Sequence, residues 1–518
     1  MEKKDNLNNS LKLIFKSSMF ILIATLLSKV FTYLFRLIVA RDFGPEIYGV
    51  FSLTAMILTW FVSLFSFGFF DGILRFIPLY RGKNETEKIK YLFRFSFKVL
   101  FLSSIFSAVL LFLLSNFISV TLFHNSELIL FLKILSVALP FFIFGYFFLA
   151  IIQAYEKIKT HSFISDILFN FINLLFLIIL ISVGMKTNSV FFSYFFGLVG
   201  IFLTSFIYCR IKIPDIFTKF TLETKIKKEI IKKLFIYTGP LIFLGLFQGI
   251  IANIDSYTIG YFKDAFSVGI YNSAFFIAGF MSLVPMLFTR LFFPLVTREF
   301  SKKNFELIKE LSKQVQKWIF IVNLPIFLLL FIFPGAFINV LFGAQYITAD
   351  SSLRLLAVAF FFSSLTVIFS NLLSMIGKSK IIFLNYLAMS VINLILDIIL
   401  VPRYGILGAA FASMTSYIIF TLVFFLQVRH YLSIIPLRRK MIRIIFSIIP
   451  PALLLICVKQ FIPVNLLSVI LEGLFFILTY ILFIFLTKSL DKNDFMILKA
   501  VRRNSSLSLN KNNLYKRE

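Results

Sequence analysis

The sequence predicts an all-α integral membrane protein. It should have fourteen transmembrane helices, in two six-helix lobes related by a pseudo-twofold axis along the membrane normal, plus a C-terminal helix pair. Three observations carry this. Of the 518 residues, 59% are hydrophobic, 73 are Phe, and only 15% are charged. Soluble domains carry about a quarter charged residues, and a soluble fold could not hide so much apolar surface behind a polar exterior. Apolar runs are broken by charge, Pro and Gly, and positive charge gathers in alternate connections.

At about 20–25 residues per span, the apolar content suffices for about fourteen spans. No long polar stretch remains for a separate soluble domain. The runs place helices near 14–39, 46–70, 95–118, 130–155, 160–183, 188–209 and 234–260. The second set lies near 267–294, 317–342, 352–376, 380–401, 404–428, 441–462 and 465–487. Residues 1–13 then form an N-terminal segment and 14–209 a first lobe. A basic linker, 210–233, leads to a second lobe at 234–428, the helix pair at 441–487 and a basic tail at 488–518. The basic start followed by an apolar run resembles a signal peptide. That run is longer than a signal core, contains Lys29 and Arg36, and lacks a small-x-small cleavage site, so it reads as a retained first helix.

The net charge of +28, from 52 Lys+Arg against 24 Asp+Glu, would suggest nucleic acid in a soluble protein. Its placement points instead to membrane topology. Forty-one of the 52 basic residues fall in one alternating set of segments, while the opposite connections hold Arg41, Lys186, Lys263 and Arg403. This positive-inside pattern puts both termini in the cytoplasm of a multi-pass protein in the cell (inner) membrane. The linker lysines, among them Lys225, Lys227 and Lys228, could also touch anionic lipid. Two distant cysteines, Cys209 and Cys457, and three scattered histidines argue against a disulfide framework or a metal site.

The chain also repeats itself at an offset of about 220 residues. "EIYGVFSL" (46–53) aligns with "FSVGIYNS" (266–273), and "KILSVALPFF" (133–142) with "RLLAVAFFF" (354–362). "KIK" (157–159) lies opposite "KSK" (378–380), and "FINLL" (171–175) opposite "VINLI" (391–395). The repeat unit is six helices, so both copies insert in the same orientation. Two similar lobes around a cavity make a transporter.

Ionisable groups at mid-membrane cost roughly 2.5–3.5 kcal/mol each on insertion scales, so each needs a reason. Thr25, Lys29, Thr32, Tyr33 and Arg36 share one face of the first helix, facing a cavity or, alternatively, snorkelling. In the seventh helix Gly245, Gln248, Gly249, Ala252, Asp255 and Ser256 form a small, polar face carrying an acid; it suits a cavity or coupling ion, or else a packing seam. Asp166, Asn170 and Asn173 on the fifth helix stand opposite Ser390, Asn393 and Asp397 on the eleventh. Asp71 and Arg290 occupy near-equivalent depths and could pair across the cytoplasmic mouth. Candidates for a gate or for coupling are therefore Asp71, Arg75, Asp166 and Asp397; the substrate cavity takes Lys29, Tyr33, Arg36, Gln248, Asp255 and Arg290. Pro285 and Pro294 are expected to bend the eighth helix.

ATP drive has no support: "GKS" (377–379) is preceded by Leu372 where a phosphate-binding loop requires Gly. No catalytic signature is found, and no cofactor is implied. Short external connections leave a membrane-embedded polysaccharide polymerase nowhere to build its site.

"ARDFGPEIYGVFSL" (40–53), "NIDSYTIGYF" (253–262) and "VPRYGILGAAFAS" (401–413) resemble the polysaccharide-transporter branch of the multidrug/oligosaccharidyl-lipid/polysaccharide exporter superfamily. So does 268–298, and the resemblance spans roughly residues 10–490. It implies a cationic cavity open alternately to each side and a lipid-tail groove at the last helix pair. The implied cargo is a polyprenyl-diphosphate-linked oligosaccharide moved to the outer leaflet, with glycosyltransferases or a polymerase of the same pathway as partners. Lys29, Arg36 and Arg290 match the kind of residue the family places in its cavity. Membrane potential, or a proton or sodium gradient acting on Asp255 or Asp397, would supply energy. A drug or metabolite antiporter of the same superfamily is the alternative, although such proteins typically have twelve helices.

Overall fold

The computed structural model describes residues 2–251, 253–459 and 466–490, and every regular element among them is helical. The first run, Glu2–Phe65, turns a corner at Gly44 (φ 78°) and Pro45, giving α1 (2–43) and α2 (45–65). Pro bars the preceding residue from helical geometry, and only glycine takes that φ without a Cβ penalty. A second break, at Phe67 (φ 50°) and Gly68 (φ 67°), ends α2 and starts α3 (Phe69–Gly82). The predicted helix 46–70 therefore stops at Phe65, and Asp71 and Arg75 belong to the short α3.

Next come α4 (Thr86–Asn116), continued by a π turn to Leu122, α5 (Glu127–Ser136) and α6 (Leu139–Ala154). The α5–α6 pair is bent by 47°. Then follow α7 (Ile158–Ser182), which contains a π turn at Phe163–Leu168, and α8 (Asn188–Lys212). After the basic linker come α9 (Thr224–Ile251), α10 (Ile254–Phe262), α11 (Ala265–Ala278) and α12 (Leu283–Ser301). The remaining elements are α13 (Phe305–Ile332), α14 (Pro334–Leu341), α15 (Asp350–Met375), α16 (Ser379–Tyr404), α17 (Ile406–Leu432), α18 (Lys440–Lys459) and α19 (Leu466–Leu486). The bend expected at Pro285 takes the form of a 3₁₀ turn, Gly279–Ser282, just ahead of it. A proline ring crowds the carbonyl four residues back and removes a helical donor.

Ten of the described helices are long and apolar enough to cross a membrane, or eleven with the bent pair counted as one span. One of the ten, Ala24–Phe65, covers the first two predicted segments; the shorter Leu471–Leu486 falls in the fourteenth.

Contacts group the described residues into two units. The first runs to Ile277 and adds Leu341–Ser352 and Leu387–Ser416. Its centre is α6, apolar on all sides and mostly buried, packed against α3, α4 and α8, with α7 on α8 and α1. The second unit holds Ala278–Val340, Leu353–Tyr386 and the described residues from Tyr417 on. There α13 packs on α12, α18 and α19. Tyr480 OH donates to the Ile321 carbonyl at 3.1 Å, and the Ser447 and Thr487 hydroxyls bond at 2.7 Å.

Candidate functional site

Both polar clusters that bear on function lie inside the first unit. One surrounds a cavity of about 290 Å³ lined by Thr32, Arg36, Asn170, Asn173, Tyr194 and Asn253, with Phe35, Phe51 and Phe169 among its apolar walls. Helical spacing stacks Ser28, Thr32 and Arg36 along one face of α1. Thr32 Oγ1 donates to Asn170 Oδ1 at 2.9 Å, and Asn170 Nδ2 donates to Ser28 Oγ at 3.0 Å, which ties α1 to α7. Half-buried Arg36 donates from Nη1 to Tyr48 OH at 3.1 Å, and its guanidinium lies 4.8 Å from the centre of the Phe276 ring. Tyr33 stacks on the same ring at 5.3 Å. Cation–π contacts of this kind contribute about 0.5–2 kcal/mol. The charge is thus held in a fixed orientation at the cavity wall.

Lys29, expected beside Arg36, is exposed and does not line the cavity. Among the described residues its ammonium makes no hydrogen bond or ion pair, although Arg36 and Asp166 act on it electrostatically. Asn170 and Asn173 do reach the cavity. Asp166 does not, and its carboxylate accepts from Ser165 Oγ at 3.1 Å. Asp71 is exposed, and Arg75 caps the Tyr237 ring at 4.2 Å. The side chains of Gln248 and Arg290 lie outside the described residues, so the expected Asp71–Arg290 pairing does too.

The second cluster joins residues the sequence left apart. Asp255 Oδ1 accepts from Asn393 Nδ2 at 2.7 Å, and Asp255 Oδ2 accepts from Ser413 Oγ at 2.6 Å and from the Tyr271 hydroxyl. Asp397 Oδ2 accepts from Thr258 Oγ1 at 3.0 Å. Asn393 Nδ2 bridges the two acids, donating to Asp255 Oδ1 at 2.7 Å and to Asp397 Oδ2 at 3.4 Å. Asp397 is wholly buried, Asp255 is 6% exposed, and among the described residues Asp397 Oδ1 receives no hydrogen bond. Ionised carboxylates buried without a cation would cost several kcal/mol each. No set of three or more His, Cys, Asp or Glu among the described residues is arranged for a metal ion.

Tyr271, Ser413 and Thr258 escaped the sequence reading because a lone hydroxyl in an apolar helix looks like packing. The 220-residue offset would have found one of them, Ser413. Subtracting it carries Asn393 onto Asn173, Ser413 onto Ser193, Tyr271 onto Phe51, Asp255 onto Phe35 and Asp397 onto Leu177. Phe35 and Phe51 touch, with ring centres 5.4 Å apart, just as Asp255 and Tyr271 do. The first copy has Phe35 and Leu177 where the second holds Asp255 and Asp397.

A multi-pass bundle of apolar helices that encloses a cationic cavity and a buried acid pair is a membrane transporter. The fold agrees: it matches the lipid II flippase MurJ in its inward closed conformation with a TM-score of 0.68, covering 90% of this chain and 98% of that one at 18% identity. The model of the polysaccharide biosynthesis protein family matches residues 14–300, more than half of the chain, and the protein belongs to that family, within the exporter superfamily its motifs resemble. A second model, MatE, matches 240–399. A putative O-antigen transporter of Shigella flexneri is 26% identical over 383 residues, which is 72% of this chain and 87% of that protein. A probable low-salt glycan biosynthesis flippase of Haloferax volcanii is 26% identical over 180 residues, 35% of this chain and 37% of its own.

Proposed function

We propose that this protein flips a polyprenyl-diphosphate-linked oligosaccharide from the cytoplasmic to the outer leaflet of the cell membrane, for assembly of a surface polysaccharide or glycan. In this reading fourteen helices cross the bilayer and both termini are cytoplasmic. The two six-helix copies open the cavity to each side in turn, while the pair at 441–487 accommodates the lipid tail. The carrying observation is the cavity at Arg36. A guanidinium held by a phenol and a ring face answers a diphosphate through paired donors. The Asn170, Asn173, Thr32 and Tyr194 side chains around it match sugar hydroxyls. The names of the Shigella and Haloferax relatives support the same cargo class.

Energy comes, in this proposal, from a proton or sodium ion taken up between Asp255 and Asp397, without ATP. Glycosyltransferases or a polymerase of the same pathway would supply and consume the cargo. The match of 240–399 to MatE covers the acid pair and favours a second reading, an antiporter of drugs or metabolites; a guanidinium in the cavity opposes cationic cargo. Purified protein in proteoliposomes separates the two. The expected result is exposure of a sugar-labelled lipid-linked oligosaccharide on the far leaflet, at a rate set by the sodium or proton gradient. The proposal fails if the lipid crosses no faster than in protein-free vesicles while an organic cation exchanges for sodium or protons.

A further inference from the structure

Gly49 near the start of α2 and Gly269 in α11 stand 220 residues apart and meet in the fold. A Cβ added to Gly49 would lie 1.7 Å from the Ala265 carbonyl oxygen, and one added to Gly269 would lie 1.9 Å from that of Pro45. The two helices therefore cross backbone against backbone at equivalent positions, with room for no side chain at either. Around the crossing, three donors reach to main-chain oxygens. Arg41 Nε donates to Leu341 O at 2.9 Å, Lys263 Nζ to Pro402 O at 2.9 Å, and Tyr346 OH to Ala40 O at 3.0 Å. Tyr48, Phe342 and Tyr346, all buried, pack ring to ring with centres 5.5 to 6.3 Å apart. Arg41 and Lys263 each precede an Asp and belong to the sparsely basic connections, which positive-inside reasoning places outside. Tyr48 also holds Arg36 at the cavity wall.

We propose that this glycine crossing is the external seal of the transport path, shut in this conformation and separated once per cycle. Its fastenings suit that duty. They include hydrogen bonds from Arg41, Lys263 and Tyr346 to carbonyls and, at the glycines, a contact between bare backbones. The Arg36–Tyr48 bond connects the seal to the cavity, so cargo that engages the guanidinium competes with a contact the closed state uses. The proposal rests on the transport reading but not on the identity of the cargo.

The test uses the full chain with Cys209 and Cys457 replaced by Ala and a reporter, Ala55→Cys, at the cavity wall. Intact cells receive a membrane-impermeant thiol reagent. Gly269→Ala prevents the helices from closing, so the reporter should react at least about tenfold faster than in the parent, as expected when a minor open state becomes the main one. Transport should fall while expression persists. Should Gly269→Ala fail to accumulate, the Arg41→Ala, Lys263→Ala pair, which removes fastenings without adding atoms, must raise labelling by itself. Parental labelling rates in a folded Gly269→Ala protein that still transports, or in the Arg41/Lys263 pair when Gly269→Ala does not accumulate, overturn the proposal. Faster labelling in a protein that moves no lipid-linked oligosaccharide would uphold the seal and sink only the cargo assignment.

Discussion

Replacing Arg36 with Gln removes one charge from the cavity wall and leaves most of the packing in place. Three contacts change. The Phe276 ring loses a cation 4.8 Å from its centre, Tyr48 loses a donor at 3.1 Å, and the proposed diphosphate cargo would lose its paired partner. Charge-assisted hydrogen bonds contribute about 1.5–3 kcal/mol, which corresponds to about a ten- to hundredfold weaker binding of anionic cargo. The lost cation–π contact adds about 0.5–2 kcal/mol, mostly to the folded protein. Arg36→Lys keeps the charge but not the planar fork and should retain partial transport. Arg36→Glu should be the worst of the series. Among the described residues Lys29 has no hydrogen-bond or ion-pair partner, so Lys29→Gln should cost less than Arg36→Gln and Lys29→Arg almost nothing. Initial flipping rates in proteoliposomes give the ordering, and complementation of a flippase-deficient strain, with protein levels checked by blot, gives it in cells. Wild-type transport by Arg36→Gln would remove this cavity from the cargo path.

Asp397→Asn replaces one acid of the buried pair by an uncharged amide of the same shape, so the protein should melt at the same or a higher temperature while its flipping rate stops responding to a sodium or proton gradient. A gradient response that persists in the Asp255→Asn, Asp397→Asn double variant would place coupling elsewhere. Gly197→Ala sets a Cβ 1.7 Å from Asn173 Oδ1 and should destabilise by about 1–3 kcal/mol, read as a lowered melting temperature in detergent; an unchanged value would show that α7 and α8 give way freely. Stopping the chain just before Lys440 removes α18 and α19 from the face of α13. That truncated protein should insert yet no longer complement, and full complementation would dismiss the lipid-groove role.

The helices were legible because hydrocarbon tolerates only runs of apolar residues, and the punctuation between the runs survives in the fold. "GPEIYG" marks the corner at Gly44, and "SFGFF" marks the break that hands Asp71 and Arg75 to α3. The cationic face of α1 was legible from helical spacing alone, and Arg36 lines a cavity as that spacing implied. Spacing could not show that Lys29, two turns away on the same face, stands clear of it. The meeting of Asp255 and Asp397 was hidden for another reason: each acid is alone on its own helix, and 142 residues separate them. Only the repeat relates such positions, and it does so through neutral neighbours, Asn173 with Asn393 and Ser193 with Ser413.

That Phe35 and Leu177 stand at the positions matching Asp255 and Asp397 has an electrical consequence. Among the described residues one buried carboxyl pair is available, and in the proposed cycle it would take up one cation per turn. Every elementary charge crossing the full membrane potential is worth about 2.3 kcal/mol per 100 mV. A dianionic diphosphate leaving a negative interior would gain about twice that, and one cation entering in return would add a further single share in the same direction. Such a cycle is electrogenic. Clamping the voltage at zero would then slow it more than abolishing the ion gradient, because with a single cation per turn most of the driving force belongs to the cargo's own charge.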